Sequence, residues 1–218
     1  MVIRHWSDSP ERPFPPAGEC QLWLAWLDEE DPDVLRGCLS EDERLRAKRL
    51  RSPRSTDRFT VARGILRTIL SRSLACKPER LVFSYGPQGK PELASGLKAK
   101  PSFNVSHSGG LAIFAIANGF EVGVDIEEIH PISDLEATAS IFLSADELAD
   151  FEILPTERRL ERFFTLWTCK EAILKACGSG FASPDTDIMA TGTSPCLKCE
   201  RLTMLDPAKG FKGALACL

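Results

Sequence analysis

Two acids one residue apart, Asp125 and Glu127, stand in Gly123-Val124-Asp125-Ile126-Glu127-Glu128. On a strand, alternate side chains share a face, so both carboxylates point one way while Val124 and Ile126 point into a core. Like charges side by side destabilise a sheet unless a cation lies between them. A hard divalent cation answers that need, and magnesium takes one or two carboxylates together with phosphate oxygens and water. A solvated strand face ending in acids is the plain alternative. A third acid comes from FFTLWTCKEAILKACG, residues 163–178, where Trp167, Glu171 and Lys175 recur every fourth residue and fall close to one helix face. An ordinary surface Glu–Lys pair would have the same spacing. Trp167 on that stripe argues instead for a partly covered face that meets a ligand or metal.

Cations complete the set. His107 lies in Phe103-Asn104-Val105-Ser106-His107-Ser108-Gly109-Gly110, read as a strand followed by a turn over residues 106–110, where backbone amides and an imidazole can meet an anion. A surface turn histidine is the bland reading of the same residues. Arg44 to Arg58 holds seven basic residues and one acid, Asp57, and Arg63 and Arg67 continue it. This is either a solvated helix face or a phosphate clamp, since the arginine fork matches phosphate geometry. Lys90, in a Gly-Lys-Pro turn, adds a further cation. Acids for one metal ion, ringed by phosphate-seeking groups, suit a diphosphate ligand, where positioning and charge neutralisation supply most of the catalysis.

These side chains need a scaffold of short strands and longer helices. Strands are expected over residues 20–27, 81–85, 103–105, 111–117 and 121–127, with weaker ones near Asp187, Arg201 and Phe211. Ser40 with Glu43 three residues on is a capping-box start. After Pro53 a second helix, about residues 56–76, carries Phe59, Ala62, Ile65, Leu66 and Ile69 at helical spacing. Further helices fall at about 134–142, 145–151 and 156–177, the last ended by Gly178-Ser179-Gly180. Asn118-Gly119 marks a tight hairpin.

The chain also echoes itself. Leu39-Ser40-Glu41-Asp42-Glu43 lies over Leu143-Ser144-Ala145-Asp146-Glu147 at an offset of 104, residues 59–67 over 167–175 at 108, and residues 20–27 over 122–129 at 102. Three matches in one order at nearly one offset predict duplication. The expected fold is α+β, with two similar half-domains, residues 19–102 and 103–218, each a small, mainly antiparallel sheet packed with a long helix. Residues 1–18, rich in proline, form an arm or an extended cover. In the overlay Trp23 stands where Asp125 does, Ala25 where Glu127 does, Arg63 where Glu171 does and Arg67 where Lys175 does. One active site per chain is therefore expected.

The composition sets limits. The chain has 218 residues and a net charge of −4, which argues against general nucleic-acid affinity. The stretch from Arg44 to Arg58 is nevertheless +6, against −10 elsewhere. The longest apolar run, Leu111 to Ala117, is far short of the roughly 20 residues a membrane helix needs. Neither a signal peptide nor a membrane segment is expected, and the cytoplasm is the expected location. Of eight cysteines, Cys196 and Cys199 alone form a C-x-x-C pair. With no second pair or nearby histidine, that falls short of the four ligands of a structural zinc site.

At this point the motifs Gly89-Lys90-Pro91, Phe103-Asn104-x-Ser106-His107-Ser108, Gly123-Val124-Asp125-Ile126-Glu127 and Trp167-Thr168-x-Lys170-Glu171-Ala172-x-x-Lys175-x-x-Gly178 can be read together. In order and spacing they resemble the 4′-phosphopantetheinyl transferases, of the duplicated type that activates surfactin synthetase. The resemblance covers about residues 40–180. It implies transfer of the phosphopantetheine arm from coenzyme A to a serine of an apo acyl or peptidyl carrier protein, with magnesium on the diphosphate. By that likeness Asp125, Glu127 and Glu171 are metal acids, and Glu171 or a metal-bound water assists deprotonation of the serine. His107 and Lys175 contact the diphosphate, Lys175 also stabilising the departing nucleotide phosphate. Arg46, Arg58 and Lys90 fall where the family binds the nucleotide part, and Ser106 lies in the same loop. This chain has Glu43 where the family often places a lysine, which gives Arg44 or Arg46 that part. The likeness also implies a monomer built as a pseudo-dimer, with the ligand between pseudo-twofold halves. A magnesium-dependent hydrolase of nucleotide diphosphates and a non-catalytic coenzyme A-binding module are the rival readings.

Overall fold

The computed structural model describes residues 3–8, 15–86, 89–94, 101–178 and 199–218. In chain order its elements are β1 (Ile3–His5), β2 (Cys20–Trp26), α1 (Pro32–Arg36), α2 (Glu41–Lys48) and α3 (Pro53–Leu74). Then come β3 (Phe83–Tyr85), β4 (Pro91–Leu93), β5 (Ser102–Ser108), β6 (Leu111–Ala117) and β7 (Val122–Glu128). The remainder is α4 (Leu135–Phe142), α5 (Ala145–Glu152), α6 (Thr156–Cys177), β8 (Arg201–Leu205) and β9 (Phe211–Cys217). The fold is α+β. One sheet has the order β1-β2-β6-β5 and another β7-β9-β8, while β3 and β4 form a small ladder.

Period-two alternation gives each sheet two usable faces. Trp23, Ala25, Phe114 and Ile116 pack on Val61, Ile65, Leu66 and Leu70 of α3. The opposite face, with Leu22, Leu111 and Ile113, packs on Val124, Ile126 and Leu215 of the second sheet. Beyond that, Ala214 and Ala216 of β9 meet Ala172, Ile173 and Ala176 of α6. The layers therefore run α3, first sheet, second sheet, α6. Local chemistry sets the helix ends. Pro53 opens α3 behind the N-cap Ser52, whose Oγ accepts from Ser55 N, because proline at a first helical position lacks only an N–H that has no partner anyway. Gly178 closes α6 with φ +69, where a glycine is free of the Cβ penalty.

With the β3–β4 ladder set aside, the element order after β2 repeats after β7: a short helix, a second one, a 22-residue helix, then two antiparallel strands. The sheet orders β2-β6-β5 and β7-β9-β8 match as well. Four expectations change. A boundary after residue 102 does not follow the sheets, since β5 and β6 hydrogen-bond into the sheet of β2. Asn118-Gly119 joins strands of different sheets and is not a hairpin turn. β5 extends through Ser108, leaving Gly109 (φ +58) and Gly110 as the turn, so Ser106 and His107 are strand residues. The N-terminal segment contributes a strand, β1, parallel to β2. Cys196 and the strand expected near Asp187 lie outside the described residues. No helix among the described residues is long and apolar enough to cross a membrane.

Candidate active site between β7 and α6

Gly123 brings strand and helix together. A Cβ there would lie 2.1 Å from Ala172 O and 2.2 Å from Ala176 N, so only glycine allows this approach. Two residues on, Asp125 faces α6 and is 2% exposed. Its Oδ1 accepts from Lys175 Nζ at 2.6 Å and from Ser106 Oγ at 2.9 Å. Oδ2 is buried without a hydrogen-bond partner among the described residues. Glu127, half-buried on the same face, accepts from Ser108 Oγ at 2.6 Å. Burial raises its pKa, and the Asp125 charge adds to this against the Ser108 bond and Lys175. Glu171, from α6, is pushed up to about 7, chiefly by burial, with Asp125 and Glu127 raising it further and Lys175 opposing. Trp167, on the same stripe, stacks on Phe142 at 4.2 Å, which covers this face as expected. Glu127 and Glu171 each carry a penalty on their negative charge, which a hard cation would relieve. Among the described residues, though, no group of three or more such side chains is drawn close enough to hold a metal ion. Lys175 is the cation that meets Asp125 here.

A positive rim adjoins the acids. His107 reaches solvent from β5; burial, followed by the charges of Lys175 and Arg58, holds its pKa below the ordinary histidine value. Arg58 comes from α3 and is fixed by Asp28, whose Oδ1 and Oδ2 accept from its Nε and Nη2 at 2.7 and 2.6 Å. Arg54 donates to the same carboxylate at 2.7 Å. With two guanidiniums bonded to it, the Asp28 pKa falls far below the usual range. Arg58 also stands over the β5–β6 turn, where a Cβ on Gly110 would lie 3.2 Å from its Nη2.

The remaining expected residues divide. Lys90 donates to Glu121 Oε2 (3.1 Å), Ala176 O (3.3 Å) and Val122 O (3.4 Å), so it ties the end of α6 to the start of β7. It still lines a cavity of about 220 Å³ with Asn104, Glu171 and Lys175. Arg46 is exposed on α2 over the Phe59 ring at 5.4 Å, and among the described residues no carboxylate pairs with it. Ser106 is buried, and its hydroxyl is already engaged by Asp125 and Lys175, which leaves it unsuited to meet a phosphate directly. Arg67 does not take the place of Lys175. It is 1% exposed and donates through Nε to Glu43 Oε2 at 2.5 Å. Its counterpart is Lys170, which pairs at 2.6 Å with Glu147, the equivalent capping-box acid. Arg67 and Lys170 each lie fourteen residues after their helix start, so the helices align at an offset of 103, not 108. Glu43 is thereby explained as the buried partner of Arg67 and of Arg63, at 3.3 Å.

Sequence reasoning missed Asp28 and the polar face of β5. An alternating Ser102-x-Asn104-x-Ser106-x-Ser108 was the available signal for the second.

A buried strand acid beside a lysine, two further acids and a rim of arginine and histidine have the charges that phosphoryl handling calls for. Comparison with known proteins narrows the class. Residues 121–199 match the model of the 4′-phosphopantetheinyl transferase superfamily, and residues 27–118 match that of a 4′-phosphopantetheinyl transferase N-terminal domain. The 4′-phosphopantetheinyl transferase HetI of Nostoc is 38% identical over 203 residues, 89% of this chain and 84% of HetI. A putative 4′-phosphopantetheinyl transferase of Synechocystis is 38% identical over 162 residues, 74% of this chain and 66% of that protein. The L-aminoadipate-semialdehyde dehydrogenase-phosphopantetheinyl transferase of Schizosaccharomyces pombe is 31% identical over 166 residues, 70% of this chain and 64% of that protein. The chain belongs to the 4′-phosphopantetheinyl transferase family, and its class of reaction is phosphopantetheinyl transfer. The family boundary at residues 118–121 coincides with the passage from β6 to β7.

Proposed function

We propose that the protein moves the 4′-phosphopantetheine arm of coenzyme A onto a serine hydroxyl of an apo acyl or peptidyl carrier protein, releasing adenosine 3′,5′-bisphosphate. One observation carries this reading: Asp125, Glu127 and Glu171 face Lys175 between β7 and α6, with one oxygen of the buried acid unpartnered. That unpartnered oxygen and the all-carboxylate donor set fit magnesium, which Asp125, Glu127 and Glu171 would hold. Bound there, the ion would neutralise diphosphate charge.

The chain's own residues do the rest. His107 and Arg58 hold phosphate oxygens, Arg58 being kept at the turn by Asp28, and Arg46 and Lys90 serve the nucleotide end. Glu171 accepts the proton of the incoming serine. The serine oxygen forms its bond to the phosphorus that bears the pantetheine arm. The bridging P–O bond to the nucleotide breaks, and Lys175 neutralises the charge left on the departing phosphate. The two halves act as a pseudo-twofold pair around one site, in a monomer of the cytoplasm. The test is to incubate the protein with coenzyme A, magnesium and an apo carrier and to weigh the carrier. A phosphopantetheine adduct supports transfer. Nucleotide release without an adduct indicates a hydrolase, and neither outcome indicates a binding module.

A further inference from the structure

β7 is an edge strand of its sheet, so its N–H groups at residues 122, 124, 126 and 128 point away from β9 and need acceptors. They find them in side chains of β5, itself the edge of the other sheet. Val122 N donates to Ser102 Oγ at 3.2 Å, Val124 N to Asn104 Oδ1 at 3.0 Å, Ile126 N to Ser106 Oγ at 3.4 Å and Glu128 N to Ser108 Oγ at 3.1 Å. Each serine hydroxyl then donates a hydrogen bond to the acid one residue earlier on β7. Ser102 Oγ donates to Glu121 Oε2 at 3.0 Å, Ser106 Oγ to Asp125 Oδ1 at 2.9 Å and Ser108 Oγ to Glu127 Oε2 at 2.6 Å. The one rung without an acid opposite it is Asn104, and the residue in that place is Gly123.

A hydroxyl has one proton and two lone pairs. Accepting from a fixed backbone N–H leaves its proton aimed at the carboxylate, which ties the acid's orientation to the strand itself. We infer that Ser106 and Ser108 are positioning residues of the transferase site, holding Asp125 and Glu127 in the orientation in which they take a divalent cation. The inference rests on the metal-acid reading given above. Ser102 is the built-in control: it makes the same two bonds, but to Glu121, which is not one of the proposed metal acids.

The experiment uses the full chain with Ser106→Ala, Ser108→Ala, Ser102→Ala and Ser108→Thr, the last keeping the hydroxyl at a half-buried position. Manganese binding, followed by electron paramagnetic resonance with coenzyme A and no carrier, is read beside thermal unfolding and the magnesium dependence of transfer. Loss of an outer-shell partner weakens metal affinity by about 10–100-fold. That loss is expected for Ser106→Ala and Ser108→Ala, with a matching rise in the magnesium needed for half-maximal transfer. Ser102→Ala should bind manganese as the wild type does, and Ser108→Thr should regain binding. Alanine variants that melt lower but bind manganese normally would reduce the serines to sheet glue and overturn the inference. A wild-type chain that binds no manganese would overturn the metal-acid reading and the inference with it.

Discussion

The two halves use one scaffold for opposite purposes. In the first, Trp23 and Ala25 of β2 face α3 and are 1% and 0% exposed in an apolar core. In the second, the corresponding positions of β7 are Asp125 and Glu127, facing α6. What the halves share is structural: a capping-box glutamate paired with a cation of the long helix, Glu43 with Arg67 and Glu147 with Lys170. What they do not share is the filling of one interface. Acids replace the apolar filling of one strand–helix interface, and the neighbouring sheet's serines supply the hydrogen bonds those acids then need.

The sharpest break of this comparison is a pair of substitutions. Asp125→Asn should cut transfer by more than about 100-fold, beyond the loss of an outer-shell partner, with little change in melting. Trp23→Ala should instead cost about 3–5 kcal/mol of stability while leaving transfer per folded molecule intact. Urea unfolding beside the carrier-mass assay reads both, and loss of turnover in folded Trp23→Ala would erase the distinction. Next come the shared pairs. Arg67→Met removes the nearer partner of the buried Glu43 and leaves Arg63 at 3.3 Å, so it should cost about 3 kcal/mol, the low end for a broken buried pair. Lys170→Met should cost less, about 2 kcal/mol, since Glu147 keeps access to water. Equal losses would mean that exposure of the partner does not set the difference.

Gly123→Ala should lower stability by about 1–3 kcal/mol through overpacking against α6 and reduce transfer as well. At the corresponding Gln21 of β2, alanine should stay within about 0.5 kcal/mol. The smallest effect is protonic. The lowered pKa means His107 in the free protein should titrate below the ordinary 6.5 by nuclear magnetic resonance, and a bound diphosphate should raise that value. Between the lowered value and the ordinary one, the unfolded chain binds more protons, so this group makes stability rise with pH there. His107→Gln should flatten that slope.

Much of this was legible in the residues, because it depends on short-range periodicity. The ends of α6 follow from its apolar spacing and Gly178, and the shared face of Asp125 and Glu127 follows from strand alternation. Pairing of β5 and β6 with β2 was not legible, since strand partners are chosen by packing across the whole molecule. Ser106 and His107 read as turn residues because their polarity suggests a loop, yet Gly109 and Gly110 suffice for the reversal. Arg67 reads as a surface cation until Glu43, buried by a different helix, is seen beside it. Asp28 carries no signal at all until folding sets it opposite Arg54 and Arg58.

The hydroxyl ladder between β5 and β7 also bears on solubility. Each sheet has one edge strand, β5 or β7, that meets the other sheet, and the ladder closes these two edges within the same molecule. Residues 119–218 by themselves would turn the N–H groups of residues 122, 124, 126 and 128 to water, a free edge on which further strands can add. Separated from the first sheet, this segment is therefore expected to self-associate, which light scattering on the isolated segment beside the full chain would check.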